Sequence, residues 1–207
     1  MTESNAVEAL VDLLESEART ERSPEETPEI GIVMGSDSDL DTMYGAYEAL
    51  TTLGFEELTD YDDPPEARFT FETFVVSAHR TPELMYSYGE TARDRGLDVI
   101  IAGAGGKSAD LPNMTASIAY PLPVIGVPVQ EKSVASVIGM PTGAPIVAVD
   151  AGKSFNAALS AVQILARGHE TLEAELEAYH EVLRDDVGTV SERLHRLGTE
   201  RFRAERE

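Results

Sequence analysis

Five short apolar runs recur along this chain, and a helical pattern follows each of them. The runs are Ile30 to Met34, Phe74 to Val76, Leu97 to Ala102, Pro123 to Val129 and Ile146 to Val149. Runs this short and this continuously apolar read as strands buried on both faces, as in a parallel sheet covered by helices. The helical stretches extend from Leu40 to about Leu53, Pro82 to about Arg95, Met114 to Tyr120, Ser133 to Met140 and Phe155 to Ala166. Strand and helix alternating in this way predict an α/β fold. Its form should be a three-layer, doubly wound parallel sheet of flavodoxin-like type. Such a sheet binds its ligands outside the carboxyl ends of its strands, so the exit loops are where function should be sought.

Four exit loops are polar or glycine-rich: residues 35–39, 77–80, 103–110 and 150–154. They are expected to converge on one phosphorylated ligand. The central one is Ser77-Ala78-His79-Arg80, squeezed between an apolar run and Thr81-Pro82, which read as N-cap and first helical residue. His79 is the only histidine before residue 169, and the chain has no cysteine. Proton transfer near neutral pH by an unperturbed side chain therefore points to His79. The competing reading is a packed, hydrogen-bonded loop histidine. Arg80 offers a planar fork for a phosphate or carboxylate.

The first loop, Gly35-Ser36-Asp37-Ser38-Asp39, has the strand–turn–helix setting that aims backbone N–H groups and hydroxyls at a phosphate. It matches neither the dinucleotide fingerprint nor the P-loop. Asp39 either accepts from a ribose hydroxyl or caps the following helix. In the third loop, Gly103, Gly105 and Gly106 allow positive φ and close backbone approach to a ligand, with Lys107, Ser108 and Asp110 beyond them.

Charge narrows the partners. Against 16 basic residues stand 38 acidic ones, a formal net charge of −22 that repels nucleic acid and anionic membranes. The carboxylates are spread along the whole chain, as suits a protein of a high-salt cytoplasm, where the Debye length falls to about 3 Å. Lack of cysteine excludes disulfides, thiolate metal sites and cysteine nucleophiles. Met1-Thr2-Glu3-Ser4 has no signal-peptide character and no apolar run reaches membrane-spanning length, so a soluble, cytoplasmic protein is expected.

The ends read as additions to a core of residues 29–168. Asn5 to Glu8 has capping-box spacing, and Val7, Leu10, Val11 and Leu14 follow at helical intervals. This predicts a helix ending near Arg22, within an acidic extension of residues 1–28 that either docks on a neighbouring subunit or solubilises the chain. Residues 55–69, acidic and turn-rich, read as a surface loop. Residues 169–207 read as a helical arm with apolar stripes, and its His169, His180 and His195 as structural.

Four blocks taken in order resemble the PurE family. They are Gly31 to Asp39, Val76 to Pro82, Ile100 to Gly106 and Gly126 to Gln130, supported by Met140 to Gly143 and Asn156 to Leu159. The resemblance implies formation of 4-carboxy-5-aminoimidazole ribonucleotide in purine biosynthesis, without metal or organic cofactor. In the mutase form, N5-carboxyaminoimidazole ribonucleotide loses CO2, which is re-added at C4. His79 then corresponds to the general acid/base, Ser36, Ser38 and Asp39 to the phosphate-and-ribose loop, and Arg80 to a phosphate or carboxylate contact. Gly103 to Gly106 would cradle the carboxylate or CO2, and assembly as an octamer is implied. Bacterial mutases carry a second histidine where Asp110 stands here. Gly106 to Leu111 and Ala119-Tyr120-Pro121 are instead similar to the branch that carboxylates aminoimidazole ribonucleotide directly. A non-catalytic nucleotide-binding module on the same sheet is the remaining alternative.

Overall fold

The structure is a computed structural model that describes residues 5–206; the expectation placed on Met1 to Ser4 lies outside the described residues. Six strands form one parallel sheet in the order β2-β3-β1-β4-β5-β6. They are β1 (Ile30–Met34), β2 (Glu56–Glu57), β3 (Thr70–Val75), β4 (Val99–Ala104), β5 (Val124–Pro128) and β6 (Val147–Ala148). From β1 the chain moves outward to β2 and β3, then crosses back over β1 to β4. That reversal makes β1 the switch point of the sheet, and the loops after β1, β3 and β4 open onto one crevice.

Two apolar layers clamp the sheet. Ile30, Ile32 and Met34 point to one face, where α2 (Leu40–Thr52) and α6 (Ser154–Leu165) cover them. Val33 points to the other, under α3 (Pro82–Thr91), α4 (Leu111–Ile118) and α5 (Val134–Val137). This is the strand alternation expected of period two, with both faces apolar because both are buried. All five residues of β1 are buried.

Two local expectations needed correction. The strand leading to His79 begins at Thr70, not Phe74, and its first half holds the buried Glu72. An acidic residue there disguises a strand, because its partners Tyr61 and Arg95 lie far off in sequence. Within the expected surface loop 55–69, Glu56 and Glu57 pair with β3 as an edge strand, Leu58 N–H reaching the Phe71 carbonyl at 2.7 Å. Edge pairing needs only backbone groups, so the two glutamates can face solvent. Phe55, Leu58 and Tyr61 are buried and anchor the segment.

The terminal helices follow their apolar stripes. The capping box of α1 (Ala6–Glu17) forms as its spacing predicts, Asn5 Oδ1 accepting from the Val7 and Glu8 backbones. The helix ends at Glu17, and Leu14 is fully buried in the layer that holds α3. It therefore packs on its own chain, a third outcome beside the two that the sequence offered. Leu172, Leu176 and Tyr179 of α7 (Glu170–Leu197) join the opposite layer, while Val182, Leu183, Val187 and Val190 are exposed. The short α8 (Thr199–Ala204) follows, with Glu205 just beyond it paired to Arg193 at 2.9 Å. Among the described residues no helix is long and apolar enough to cross a membrane.

Candidate active site

Backbone hydrogen bonds continue past the strand ends and hold the exit loops in register. Gly35 N–H donates to the Gly103 carbonyl at 3.1 Å, Val76 N–H to Met34 at 2.9 Å, and Val129 N–H to Ala104 at 3.0 Å. The loops thereby share one edge and enclose a cleft of about 330 Å³. From the first loop, Ser36, Ser38 and Asp39 line it; from the second, Ser77, Ala78, His79 and Arg80. Gly105, Ser108 and Asp110 line it from the third.

Three expected residues stand apart. Gly103 faces the core: a Cβ there would lie 2.1 Å from Met43 Sδ, so this glycine serves the close packing of α2 on the sheet. Gly106 adopts φ +85°, and its carbonyl accepts from Ser133 Oγ at 2.8 Å. Lys107 is exposed and outside the cleft lining. No residue of the 150–154 loop lines the cleft; its Gly152 N–H is tied to the Pro128 carbonyl at the end of β5. Three loops converge, not four.

Asp39 is the hub of the first and third loops. It is 7% exposed, at the start of α2 but with no side-chain capping bond. Its carboxylate instead faces the backbone of Gly105, Ser36 and Gly35, whose N–H groups favour its charged form. Burial raises its pKa, and those donors together with the Arg80 charge oppose the rise. A Cβ on Gly105 would lie 3.0 Å from Asp39 Oδ1, so the glycine permits the approach of the two loops. Arg80 ties the second loop to the first, Nη2 donating to the Gly35 carbonyl at 3.0 Å. Ser77 Oγ accepts from Arg80 N–H at 3.3 Å, closing the turn that presents His79.

His79 and Asp110 meet across the cleft, Nε2 to Oδ2 at 3.1 Å, with side chains 62% and 40% exposed. A histidine this open is not the packed loop residue of the competing reading. It can reach a ligand, while its neighbours supply hydroxyls, backbone N–H groups and one guanidinium for an anionic substrate. Among the described residues, no group of three or more His, Cys, Asp or Glu side chains is placed to hold a metal ion.

Sequence reading missed Ser133 and Ser136. Ser133 is fully buried beneath the glycine loop, and Ser136 Oγ donates to Asp110 Oδ1 at 3.3 Å. Both lie in a segment, Glu131 to Val137, whose apolar pattern marks a short helix but says nothing of what its hydroxyls hold.

Comparison with known proteins identifies the family. A family profile described as AIR carboxylase matches residues 29–186. An N5-carboxyaminoimidazole ribonucleotide mutase of Mycobacterium tuberculosis is 44% identical over 178 residues, covering 83% of this chain and 93% of the relative. One from Pyrococcus horikoshii is 39% identical over 186 residues, covering 87% and 96%. A phosphoribosylaminoimidazole carboxylase of Schizosaccharomyces pombe is 39% identical over 189 residues, which are 88% of this chain and 31% of that one. The crystal structure of Treponema denticola PurE superimposes with a TM-score of 0.65 at 23% identity, over 81% of this chain and 98% of that one, which speaks to the fold alone. With a profile spanning most of the chain and mutases aligned nearly end to end, the chain belongs to the AIR carboxylase family, the PurE family that its four sequence blocks resemble.

Proposed function

We propose that the protein makes 4-carboxy-5-aminoimidazole ribonucleotide for purine biosynthesis by isomerising N5-carboxyaminoimidazole ribonucleotide. The observation that carries this reading is the convergence of His79 and Arg80 with Ser36, Asp39 and Gly105 in one cleft. It stands in a chain that aligns with 93% of a curated mutase. The reaction needs one proton delivered and one removed. Cleavage of the N–carboxyl bond releases CO2 and leaves the exocyclic nitrogen to be protonated. Carbon C4 then attacks the retained CO2, and its hydrogen must leave as a proton to restore the aromatic ring. His79 performs both transfers, since an imidazole can give a proton from one ring nitrogen and accept one on a ring lone pair. Because the proton given and the proton taken balance, the cycle returns His79 to its starting state.

The remaining side chains bind and orient. Arg80, Ser36 and Ser38 hold the phosphate, and Asp39 together with the backbone it organises positions the ribose. The glycine loop, through Gly105, lets the carboxylate or CO2 approach the backbone closely, with Ser77, Ala78 and Ser108 shaping the pocket and Lys107 and Gly106 at its approach. The protein works as a cytoplasmic homo-oligomer, an octamer in the family's manner, in concentrated salt. The exposed stripe Val182, Leu183, Val187 and Val190 on α7 supports assembly, and the net charge of −22 supports the salt requirement.

A second reading has one observation in its favour. Asp110, not histidine, precedes Leu111-Pro112, which brings direct carboxylation of aminoimidazole ribonucleotide by CO2 into view. A spectrophotometric assay in molar KCl separates the two. Turnover of N5-carboxyaminoimidazole ribonucleotide alone is the expected result. Turnover only of aminoimidazole ribonucleotide with bicarbonate would replace the mutase by a carboxylase, and turnover of neither by folded protein would leave the binding module.

A further inference from the structure

Asp110 occupies the position where an aspartate ordinarily caps a helix, yet it does not cap α4. Its backbone is already helical, at φ −82° and ψ −17°, and its side chain makes no capping hydrogen bond. The carboxylate is turned away and is held from two sides. Oδ1 accepts from Ser136 Oγ at 3.3 Å, and Oδ2 lies 3.1 Å from His79 Nε2. Ser136 is itself fixed, since its carbonyl accepts from Asn113 Nδ2 at 2.6 Å. Asn113 and Asp110 belong to the same helix start, so the serine is clamped against the element that carries the carboxylate. A chain of contacts thus runs from α5 through Asp110 to the imidazole.

We propose that Asp110 is a positioning residue for His79. It accepts the Nε2 hydrogen and so leaves Nδ1 as the ring nitrogen with the free lone pair. Nδ1 has no hydrogen-bond partner among the described residues, which leaves it to exchange the substrate's proton. An imidazole has two tautomers, and the nitrogen that holds a hydrogen bond to a carboxylate decides which one is present. The same carboxylate lies beside the positive charge that appears on the ring once Nδ1 has taken a proton. Without it, the ring would be free to rotate in its open cleft and to place its proton on either nitrogen. Ser136 extends the device by one step, holding the second carboxylate oxygen so that Oδ2 stays on the histidine. The proposal rests on the acid/base role given to His79 above.

Two measurements test it. The first is ring 15N NMR of histidine-labelled protein at pH 9, where imidazoles are neutral; only four histidines need assignment. His79 should show a single tautomer with its hydrogen on Nε2, and a mixture in Asp110→Ala. A mixture in the unmutated protein, or a hydrogen on Nδ1, would overturn the proposal. The second is the split between kcat and KM. Asp110→Ala should lower kcat about 10- to 100-fold with KM changed less than about threefold. Asp110→Asn, which keeps an acceptor oxygen, should recover part of that loss, and Ser136→Ala should lose less than either. A tenfold rise in KM with kcat intact would make Asp110 a substrate ligand and sink the positioning role. Because Asp110 makes no cap, the thermal midpoint of Asp110→Ala should stay within a few degrees; a collapse would leave Ser136→Ala to decide. The NMR reading needs no turnover. Should neither substrate react, the enzymatic reading fails and the tautomer still decides whether Asp110 holds the ring.

Discussion

Two charged pairs lie close to β3 and its exit, and they have opposite fates. Glu72 and Arg95 meet inside the protein, with side chains 1% and 0% exposed and Nη1 to Oε1 at 2.6 Å. Tyr61 completes that cluster, its hydroxyl donating to Glu72 and accepting from Arg95 at 2.8 Å. His79 and Asp110 meet in the open, and the imidazole keeps a nitrogen unpaired among the described residues. The buried cluster turns its charged groups on one another and on the surrounding chain, out of reach of a ligand. The exposed pair has capacity left, and that is what chemistry requires. Cavity size misleads in the same place. The larger cleft, about 670 Å³ between Glu17, Arg22 and Arg95, lies beside the buried cluster, whereas the reactive groups line one of about half that volume.

The sharpest way to break this contrast is to mutate one member of each pair. His79→Asn should cut turnover by roughly 10²- to 10⁴-fold while nucleotide binding, followed by calorimetry, stays within a few-fold. Retained turnover would return His79 to the status of a loop residue. Arg95→Met should do the reverse. It strands Glu72 in the interior and should cost about 3 to 5 kcal/mol in denaturant unfolding, with kcat per folded molecule unchanged. A loss of activity without a loss of stability would show that the buried cluster reaches the cleft.

A smaller effect comes from Glu29, just before β1, whose carboxylate accepts from Thr70 N–H at 2.7 Å. Burial pushes its pKa up to about 7, with Asp98 adding to the rise and the Thr70 N–H opposing it. The folded state therefore holds this proton more tightly than the unfolded chain, whose glutamates titrate near 4.5. Stability from this group is complete below about pH 4.5 and is lost as pH rises through about 7. Glu29→Gln should flatten the dependence of unfolding free energy on pH over that window. At pH 8 it should be the more stable protein, by up to about 2 kcal/mol once partial solvent exposure is allowed for. Parallel pH dependences in the two proteins would assign the titration elsewhere.

Much of the cleft was legible because its determinants are local. An apolar run that ends at Gly35 or Ser77 and meets a helix start specifies a strand, a turn and a direction within a few residues. Three of the four expected loops converge for that reason. Asp39 was legible as a site residue but not as the hub between loops, since its partners Gly35 and Gly105 are 70 positions apart in the chain. Glu72 concealed half of β3, and Gly103 looked like a ligand cradle while it makes room for Met43. In each case the deciding contact comes from a distant stretch.

What the sequence by itself determined is the alternation of buried strands and helices, the exit loops and the one early histidine. Periodicity and turn chemistry act over neighbouring residues, and the chain displays them directly. Only the tertiary structure decided that β1 is the switch point, that 150–154 stays outside the cleft, and that α1 packs on α3. It alone brought Asp110 to His79 and Ser136 to Asp110. Those contacts depend on strand order and on the packing of helices over the sheet, which no local stretch encodes.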